Sequence, residues 1–317
     1  MQKSKLITIV GPTATGKTDL AIQIAKEFNG EIITADSKTI YRGMDIGTAK
    51  PRKSSQNAIA RSRSKSIKDL FRDKPYLVHG IPHFGIDIVD PNEEFSVSDF
   101  KEYAEKKISD ILLRDKLPIL VGGTGLYISA VVDNLSFTST PANEKLRQEL
   151  DALDNDQLIS RLRKADSEAV ESIDANNRRR LIRAIEIVQS SGKSLAEQQT
   201  KGEPKYDVLQ IGIELSREDL YERIDFRVDK MIAEGLVDEV RELRDKYGCN
   251  LNAMTGIGYK EICMFLEGYV KLRDAIQLIK SDSRHYAKRQ MTWFKRDSRI
   301  KWVISAEEAI DLVKGFR

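Results

Sequence analysis

The spacing of apolar residues changes several times along this chain, and each change marks an element. Leu6–Val10 is a short apolar run that stops at Gly11-Pro12, the pattern of a buried strand closed by a turn. Leu20, Ala21, Ile24, Ala25 and Phe28 then recur at helical spacing, with Gly30 placed as a C-terminal cap. A second strand is expected over Glu31–Ala35, lying beside the first and ending in Asp36-Ser37, and a third over Ile86–Val89. Ser98 opens a helix on which Phe100, Tyr103, Ala104, Ile108, Ile111 and Leu112 recur. Leu117–Val121 is apolar throughout, as a parallel strand covered on both faces would be, and runs into Gly122-Gly123-Thr124-Gly125.

From about Pro141 to Gly202 helical periodicity dominates and no strand is expected. A strand returns at Val208–Leu215. Ser216, with Asp219 three residues on as its capping partner, opens a helical stretch to Lys246. A last helix covers about Lys271–Arg296 and a short strand Ile300–Ile304 follows. Strands alternating with helices, interrupted by one purely helical stretch, indicate an α/β chain with a helical insertion.

The first turn carries the chemistry. Gly11-Pro12-Thr13-Ala14-Thr15-Gly16-Lys17-Thr18 fits the phosphate-loop pattern at every position, between a strand and a helix as that pattern requires. Its glycines permit the tight backbone, its amides and the helix N-terminus face an anion, Lys17 adds a point charge, and the Thr18 hydroxyl can reach a magnesium ion. The motif indicates a diphosphate or triphosphate and does not by itself indicate a kinase. The expected architecture is therefore a P-loop NTPase-like parallel sheet core over 1–138 and 206–317, with a helical domain inserted at 139–205.

Asp36, at the C-terminal end of its strand, sits where open α/β sheets place their ligands; a turn or N-cap aspartate is the bland alternative. Arg178, Arg179, Arg180 and Arg183 open a helix, with Arg180 and Arg183 on one face; a solvated basic face is their bland alternative. Arg223 and Arg227 lie one turn apart, and pairing with Glu222, Asp225 or Asp229 is their bland alternative. Tyr286, Trp293 and Phe294 stand among basic residues, as a stacking surface or as core packing.

Charge sharpens this picture. The formal net charge is only +3, yet residues 51–75 hold eight basic and two acidic residues, and Lys280–Lys301 hold the same numbers. Such concentrations point to an anionic partner. The 52–75 segment has few residues able to bury a core and is expected to be a mobile, solvated loop, either an auxiliary phosphate contact or an inert surface insertion. The two cysteines, Cys249 and Cys263, are expected to be reduced, buried thiols. With only three histidines, no histidine-rich metal site is expected. No apolar run is long enough for a membrane span, so no membrane partner is expected.

Several stretches taken together resemble one family, the bacterial-type tRNA dimethylallyltransferases, also called tRNA isopentenyltransferases. They are GPTATGKT at 11–18, ADSKTIYRGMDIGTAKP at 35–51, IPHFGIDIVDP at 81–91, LPILVGGTGLYI at 117–128, NNRRRLIRAIEI at 176–187, RIDFRVDKMIAEGLVDEV at 223–240, GIGYKE at 256–261 and RHYAKRQMTWFKRD at 284–297. Two departures stand out: His83-Phe84-Gly85 where the family usually has two histidines and a hydrophobic residue, and the 52–75 segment, an insertion in a usually short connection.

The resemblance implies transfer of a dimethylallyl group from dimethylallyl diphosphate to the exocyclic amine of the adenosine just 3′ of the tRNA anticodon, by a cytoplasmic monomer using Mg²⁺. It implies that residues 11–18 hold the donor's diphosphate in what otherwise reads as a nucleotide loop, with Thr18 at the metal. Asp36 matches the general base, Thr124 a residue near the reacting centre, and Arg227 a residue that stabilises the diphosphate. Asp36, Ser37, Lys38 and Thr39, Arg147, Arg179, Arg180 and Arg183, and Gly258, Tyr259 and Lys260 match regions that contact the tRNA anticodon stem-loop. A small-molecule kinase, a prenyltransferase of free adenine nucleotides and a non-catalytic RNA-binding protein are the alternatives. The arginine-bearing helix disfavours the first two, and the intact Lys17, Thr18 and Asp36 disfavour the third.

Overall fold

The computed structural model describes residues 3–52, 75–137, 143–175, 177–192, 194 and 201–317. The basic segment, from Lys53 to Lys74, lies outside the described residues. Among those described, two compact units are formed, Met1–Val132 with Lys205–Arg317, and Asp133–Pro204.

The first unit is built on a seven-stranded sheet. Its strands are β1 (Ser4–Val10), β2 (Gly30–Thr34), β3 (Tyr76–Val78), β4 (Ile81–Phe84), β5 (Leu117–Gly122), β6 (Tyr206–Ile213) and β7 (Ile300–Val303), in the order β3-β4-β2-β5-β1-β6-β7. Every pairing is parallel except the β3–β4 hairpin at one edge, whose two-residue turn puts His79 and Gly80 at positive φ. This is the mixed α/β, P-loop-like sheet. The apolar character of β1 follows from its central place: Ile7 and Ile9 face one core, Leu6 and Val10 the other, and all four are fully buried.

One face is covered by α1 (Lys17–Glu27) and by the C-terminal helix, Ala306–Phe316, for which no element was expected. The other is covered by α2 (Val97–Leu113), α3 (Gly125–Val132), α8 (Arg217–Ala233), α9 (Leu236–Tyr247), α10 (Tyr259–Leu266) and α11 (Leu272–Phe294). In the second unit α4 (Glu144–Asp151), α5 (Asn155–Ala165), α6 (Ser167–Ser172) and α7 (Arg178–Ser191) enclose a separate core of Leu150, Leu158, Leu162, Leu181 and Ile185. No described helix is long and apolar enough to cross a membrane.

The structure corrects several expectations. β2 is not beside β1, because β5 pairs with both. The parallel strand expected over Ile86–Val89 lies instead at β4, Ile81–Phe84. Residues 86–89 cannot continue it, since Gly85 and Asp87 turn to positive φ; the segment pairs instead with the loop at Ile40–Arg42, with Ile88 N–H donating to the Ile40 carbonyl at 2.8 Å. Gly30 is not the cap of α1: Asn29 takes the left-handed position, at φ 54°, and Gly30 begins β2. The cap of α2 is Ser96, whose hydroxyl accepts from Asp99 N–H while the Asp99 carboxylate accepts from Ser96 N–H, so Ser98 lies inside the helix. The stretch from Ser216 is two helices broken at Glu234-Gly235.

The two cysteines are also corrected. Cys249 and Cys263 form a disulfide, with their Cα atoms 6.1 Å apart. The chain turns after α9 and lays residue 249 against α10, a proximity that their separation of 14 in sequence does not disclose.

Candidate active site

The phosphate loop follows from β1 ending at Val10. Gly11 and Gly16 stand at φ 138° and 88°, conformations closed to most L-residues, and the second opens α1. The Thr15 hydroxyl donates to the Pro12 carbonyl at 2.9 Å and closes the loop on itself. The Lys17 ammonium also donates to the Pro12 carbonyl. Burial and the neighbouring Arg227 guanidinium pull the Lys17 pKa down to about 7, against the opposing charge of Asp36. No described residue supplies a carboxylate hydrogen bond to Lys17 within this loop.

Arg227 arrives from α8. It donates to Thr13 Oγ1 at 3.2 Å and to the Thr48 carbonyl at 3.3 Å. Burial lowers its pKa and Asp36 opposes that effect. Two of the acids offered as its partners are engaged elsewhere, Asp225 by Arg284 at 2.8 Å and Asp229 by Lys280 at 2.7 Å, and Arg227 instead turns to the phosphate loop. Two cations therefore converge on a loop of backbone amides, an arrangement suited to an anion of more than one charge. Among described residues no group of three or more His, Cys, Asp or Glu side chains is placed to hold a metal.

Asp36 lies at the end of β2. Its Oδ1 accepts from Lys38 N–H at 2.8 Å and from Thr39 N–H at 3.2 Å, so it is a turn aspartate as well as an acid at the sheet edge. The loop after β5 fills the space between this turn and the phosphate loop. Gly122 is required there, because a Cβ would lie 1.9 Å from the Ala35 carbonyl oxygen. Thr124 closes the junction: its N–H donates to the Ala35 carbonyl at 3.3 Å, and its Oγ1 accepts from Ser37 N–H at 3.1 Å. Asp36, Ser37, Thr124, Lys17 and Arg227 are thus brought to one edge of the sheet.

Lys38 and the 255–260 stretch are tied together. The Lys38 ammonium donates to the carbonyls of Asn252 at 2.7 Å and Ala253 at 3.3 Å. Thr39 and Tyr259 are buried and Lys260 is exposed. The Tyr259 hydroxyl donates to Glu239 at 2.7 Å, and burial followed by that carboxylate's charge pushes its pKa well up. Gly258 N–H donates to Glu261 at 2.7 Å. Of these residues Lys260 has the geometry to meet an external partner, and Tyr259 is an anchor.

Three contributing residues were not singled out from the sequence as site residues. Glu239 accepts from the N–H groups of Asp45, Ile46 and Gly47 at 2.9, 2.7 and 3.1 Å, which fixes the loop carrying the Thr48 carbonyl. Gln290 and Tyr286, on α11, reach the loops at Thr13 and at Gly123–Thr124. The available signal was a Gln and a Tyr at i, i+4 within an otherwise basic helix. Of the other two aromatics there, Phe294 is core and Trp293 packs over Gly125, 38% exposed.

In the second unit, Arg147 and Arg183 both grip Glu186, whose carboxylate is fully buried. Arg147 donates at 2.7 and 3.1 Å, Arg183 at 3.2 Å, and Asn143 N–H adds a fourth bond at 3.1 Å. Burial works against the charged form, yet these bonds, Arg147's foremost, hold the Glu186 pKa below the ordinary carboxylate range. Arg178 donates to the carbonyls of Leu150, Asp151 and Leu153, while Arg179 and Arg180 are exposed. Glu186→Ala is expected to destabilise this unit by about 2 kcal/mol, less than a fully buried pair because both guanidinium groups are 39% exposed. Thermal unfolding of the variant measures it, and an unchanged transition would show that the cluster contributes nothing.

A family model described as IPP transferase matches residues 72–297, and one described as Isopentenyl transferase matches residues 4–64. A tRNA dimethylallyltransferase of Alkaliphilus oremlandii is 43% identical over 307 residues, covering 95% of this chain and 91% of that protein. The solved structure of the full-length tRNA isopentenylpyrophosphate transferase of Bacillus halodurans is similar over 99% of this chain and 95% of its own, at 39% identity and a TM-score of 0.69. A eukaryotic dimethylallyltransferase acting on tRNA reaches a TM-score of 0.79 at 29% identity, over 99% of this chain and 79% of its own.

Proposed function

Because this chain belongs to the IPP transferase family and catalyses prenyl transfer to tRNA, we propose that its phosphate loop holds the diphosphate of dimethylallyl diphosphate and that Asp36 serves the acceptor, the exocyclic amine of the adenosine 3′ of the anticodon. The convergence of Lys17 and Arg227 on the loop, with Asp36 across β5 from it, supports this reading most directly.

The bond from the allylic carbon to oxygen breaks, and its electron pair leaves on the diphosphate. Lys17, Arg227 and the loop amides receive the growing charge. The amine nitrogen forms the new bond to carbon and its proton passes to Asp36. A stacked base cannot reach the carbon, so the adenosine leaves the stack to enter the site. Ser37, Lys38, Thr39 and Gly258–Lys260 in one unit, and Arg147, Arg179, Arg180 and Arg183 in the other, are the surfaces assigned to the RNA. Arg179 and Arg180 are best placed by exposure, whereas Arg147 and Arg183 would act with Glu186 behind them.

The donor set suits a magnesium ion carried by the substrate. With no carboxylate cluster among the described residues, the Thr18 hydroxyl, diphosphate oxygens and water would hold it. The ion, when bound, supplies further neutralisation of the leaving diphosphate.

Donor binding is expected to depend on pH. A bound diphosphate favours the Lys17 ammonium, so its pKa rises from about 7 and binding takes up a proton above that pH. Affinity therefore falls as pH rises, approaching about tenfold per pH unit, the limit for one linked proton. Lys17→Arg stays charged and removes this component. A wild-type to Lys17→Arg affinity ratio that is flat from pH 6.5 to 9 would take Lys17 out of the diphosphate site. The function itself is tested by incubation with labelled dimethylallyl diphosphate and unmodified tRNA, followed by nucleoside mass spectrometry, with AMP as a rival acceptor and ATP as a rival donor. Prenylated AMP with unmodified tRNA, or phosphoryl transfer from ATP, would overturn the proposal.

A further inference from the structure

The phosphate loop, at residues 11–18, and the Gly122–Gly125 loop are held by one side chain from the far end of the chain. Gln290 is buried, 5% exposed, on the inward face of α11. Its Oε1 accepts from Thr13 N–H at 2.9 Å and its Nε2 donates to the Gly123 carbonyl at 2.8 Å. A peptide N–H can only donate and a carbonyl can only accept, so these two contacts dictate the amide's orientation. Gly123 has to be a glycine for this to happen, because a Cβ there would lie 2.1 Å from the Gln290 nitrogen.

One helical turn earlier on the same face stands Tyr286. Burial, followed by the charge of Asp36, pushes its hydroxyl's pKa up to about 12, while the neighbouring side chains of Thr124 and Gln290 work against that shift. Thr124 Oγ1 in turn accepts from Ser37 N–H, and Thr13 Oγ1 accepts from Arg227. Gln290 therefore joins the phosphate loop to the Gly122–Gly125 loop directly, and Tyr286 stands beside Thr124, whose Oγ1 holds the Asp36 turn.

We infer that Tyr286 and Gln290 are positioning residues for the transfer: they form a strut that sets the distance between the acceptor's base at Asp36 and the donor's phosphate loop. The inference rests on the assignment of those two sites. It has a physical motive in the reaction, where the amine nitrogen must approach the allylic carbon to about 3–3.5 Å while the diphosphate is held elsewhere. A buried amide with both ends engaged cannot shift without losing a hydrogen bond in a low-dielectric site, so it resists drift of either loop.

The test is kinetic. Tyr286→Phe removes one oxygen and keeps the ring. It is expected to lower turnover at saturating substrates about tenfold or more, a modest part of what a misplaced reactant can cost. The Michaelis constants for donor and tRNA and the unfolding temperature should stay near wild type. Thr124→Ala should also be slow, and adding Tyr286→Phe to it should cost little more, since the strut would already be broken. Gln290→Met, of similar length, leaves Thr13 N–H and the Gly123 carbonyl unpaired, and is expected to raise the donor's Michaelis constant while lowering turnover, with tRNA affinity unchanged. Wild-type turnover in Tyr286→Phe, or full additivity with a slow Thr124→Ala, overturns the strut. Wild-type turnover in both Thr124→Ala and Asp36→Asn overturns the site assignment itself and the strut with it. If Gln290→Met does not fold, the Tyr286→Phe cycle decides alone.

Discussion

Asp36→Asn is expected to fold and to bind both substrates, and to turn over at least ~100-fold more slowly than wild type, the lower range for loss of a general base. The substitution separates the residue's two jobs. Asparagine keeps an Oδ1 that accepts from Lys38 N–H and Thr39 N–H, so the turn and the Ser37–Thr124 contact survive. What is lost is the carboxylate's capacity to take a proton. The turnover number, read beside the two substrate affinities and the unfolding temperature, checks this. Turnover within a factor of a few of wild type would end the role of Asp36 as base and leave it a turn aspartate.

Arg227→Ala should be comparably severe, by a different route. It removes a buried charge from the place where the leaving oxygens develop theirs, an effect on the order of 10²–10³ in rate for one electrostatic donor. The donor's Michaelis constant should rise and tRNA affinity should not change. A second signature distinguishes this from general damage. Arg227 is one of the two causes that lower the Lys17 pKa, so removing it returns that pKa upward, and the pH above which donor affinity falls should move higher. Arg227→Lys keeps a point charge without the two-pronged contact to Thr13 and Thr48, and should lie between. Equal weakening of tRNA binding, or an unmoved pH profile, would count against the assignment.

What could be read from the sequence was what depends on neighbours in sequence. The apolar runs of β1 and β5 are continuous because both faces of those strands are covered, and a phosphate loop is a local motif between a strand and a helix. The turn chemistry at Ser216–Asp219 is local in the same way. The failures share the opposite cause. Ile86–Val89 has the composition of a strand, but Gly85 and Asp87 at positive φ break it there. The intervening place of β5 between β1 and β2 depends on crossover connections, and the pairing of Cys249 with Cys263 on how α10 packs. Arg147 and Arg183 were read without their shared partner, Glu186, which is three residues from one and 39 from the other. Tyr286 read only as a stacking or packing aromatic and Gln290 was passed over, since the groups they serve at Thr13 and Thr124 lie far away in the chain.

That last separation has a consequence in time. Thr13 and Gln290 are 277 residues apart. A ribosome adding about 5–20 residues per second emits the phosphate loop first and the side chain that braces it about 14–55 s later. For that interval the nascent chain carries the motif without its strut. The finished grip on the donor is thus expected only once α11 has left the exit tunnel, and ribosome-bound chains stalled before residue 290 should retain labelled donor far more weakly than released protein. A stalled chain that binds as well as the released one would show that the loop stands without its late partner.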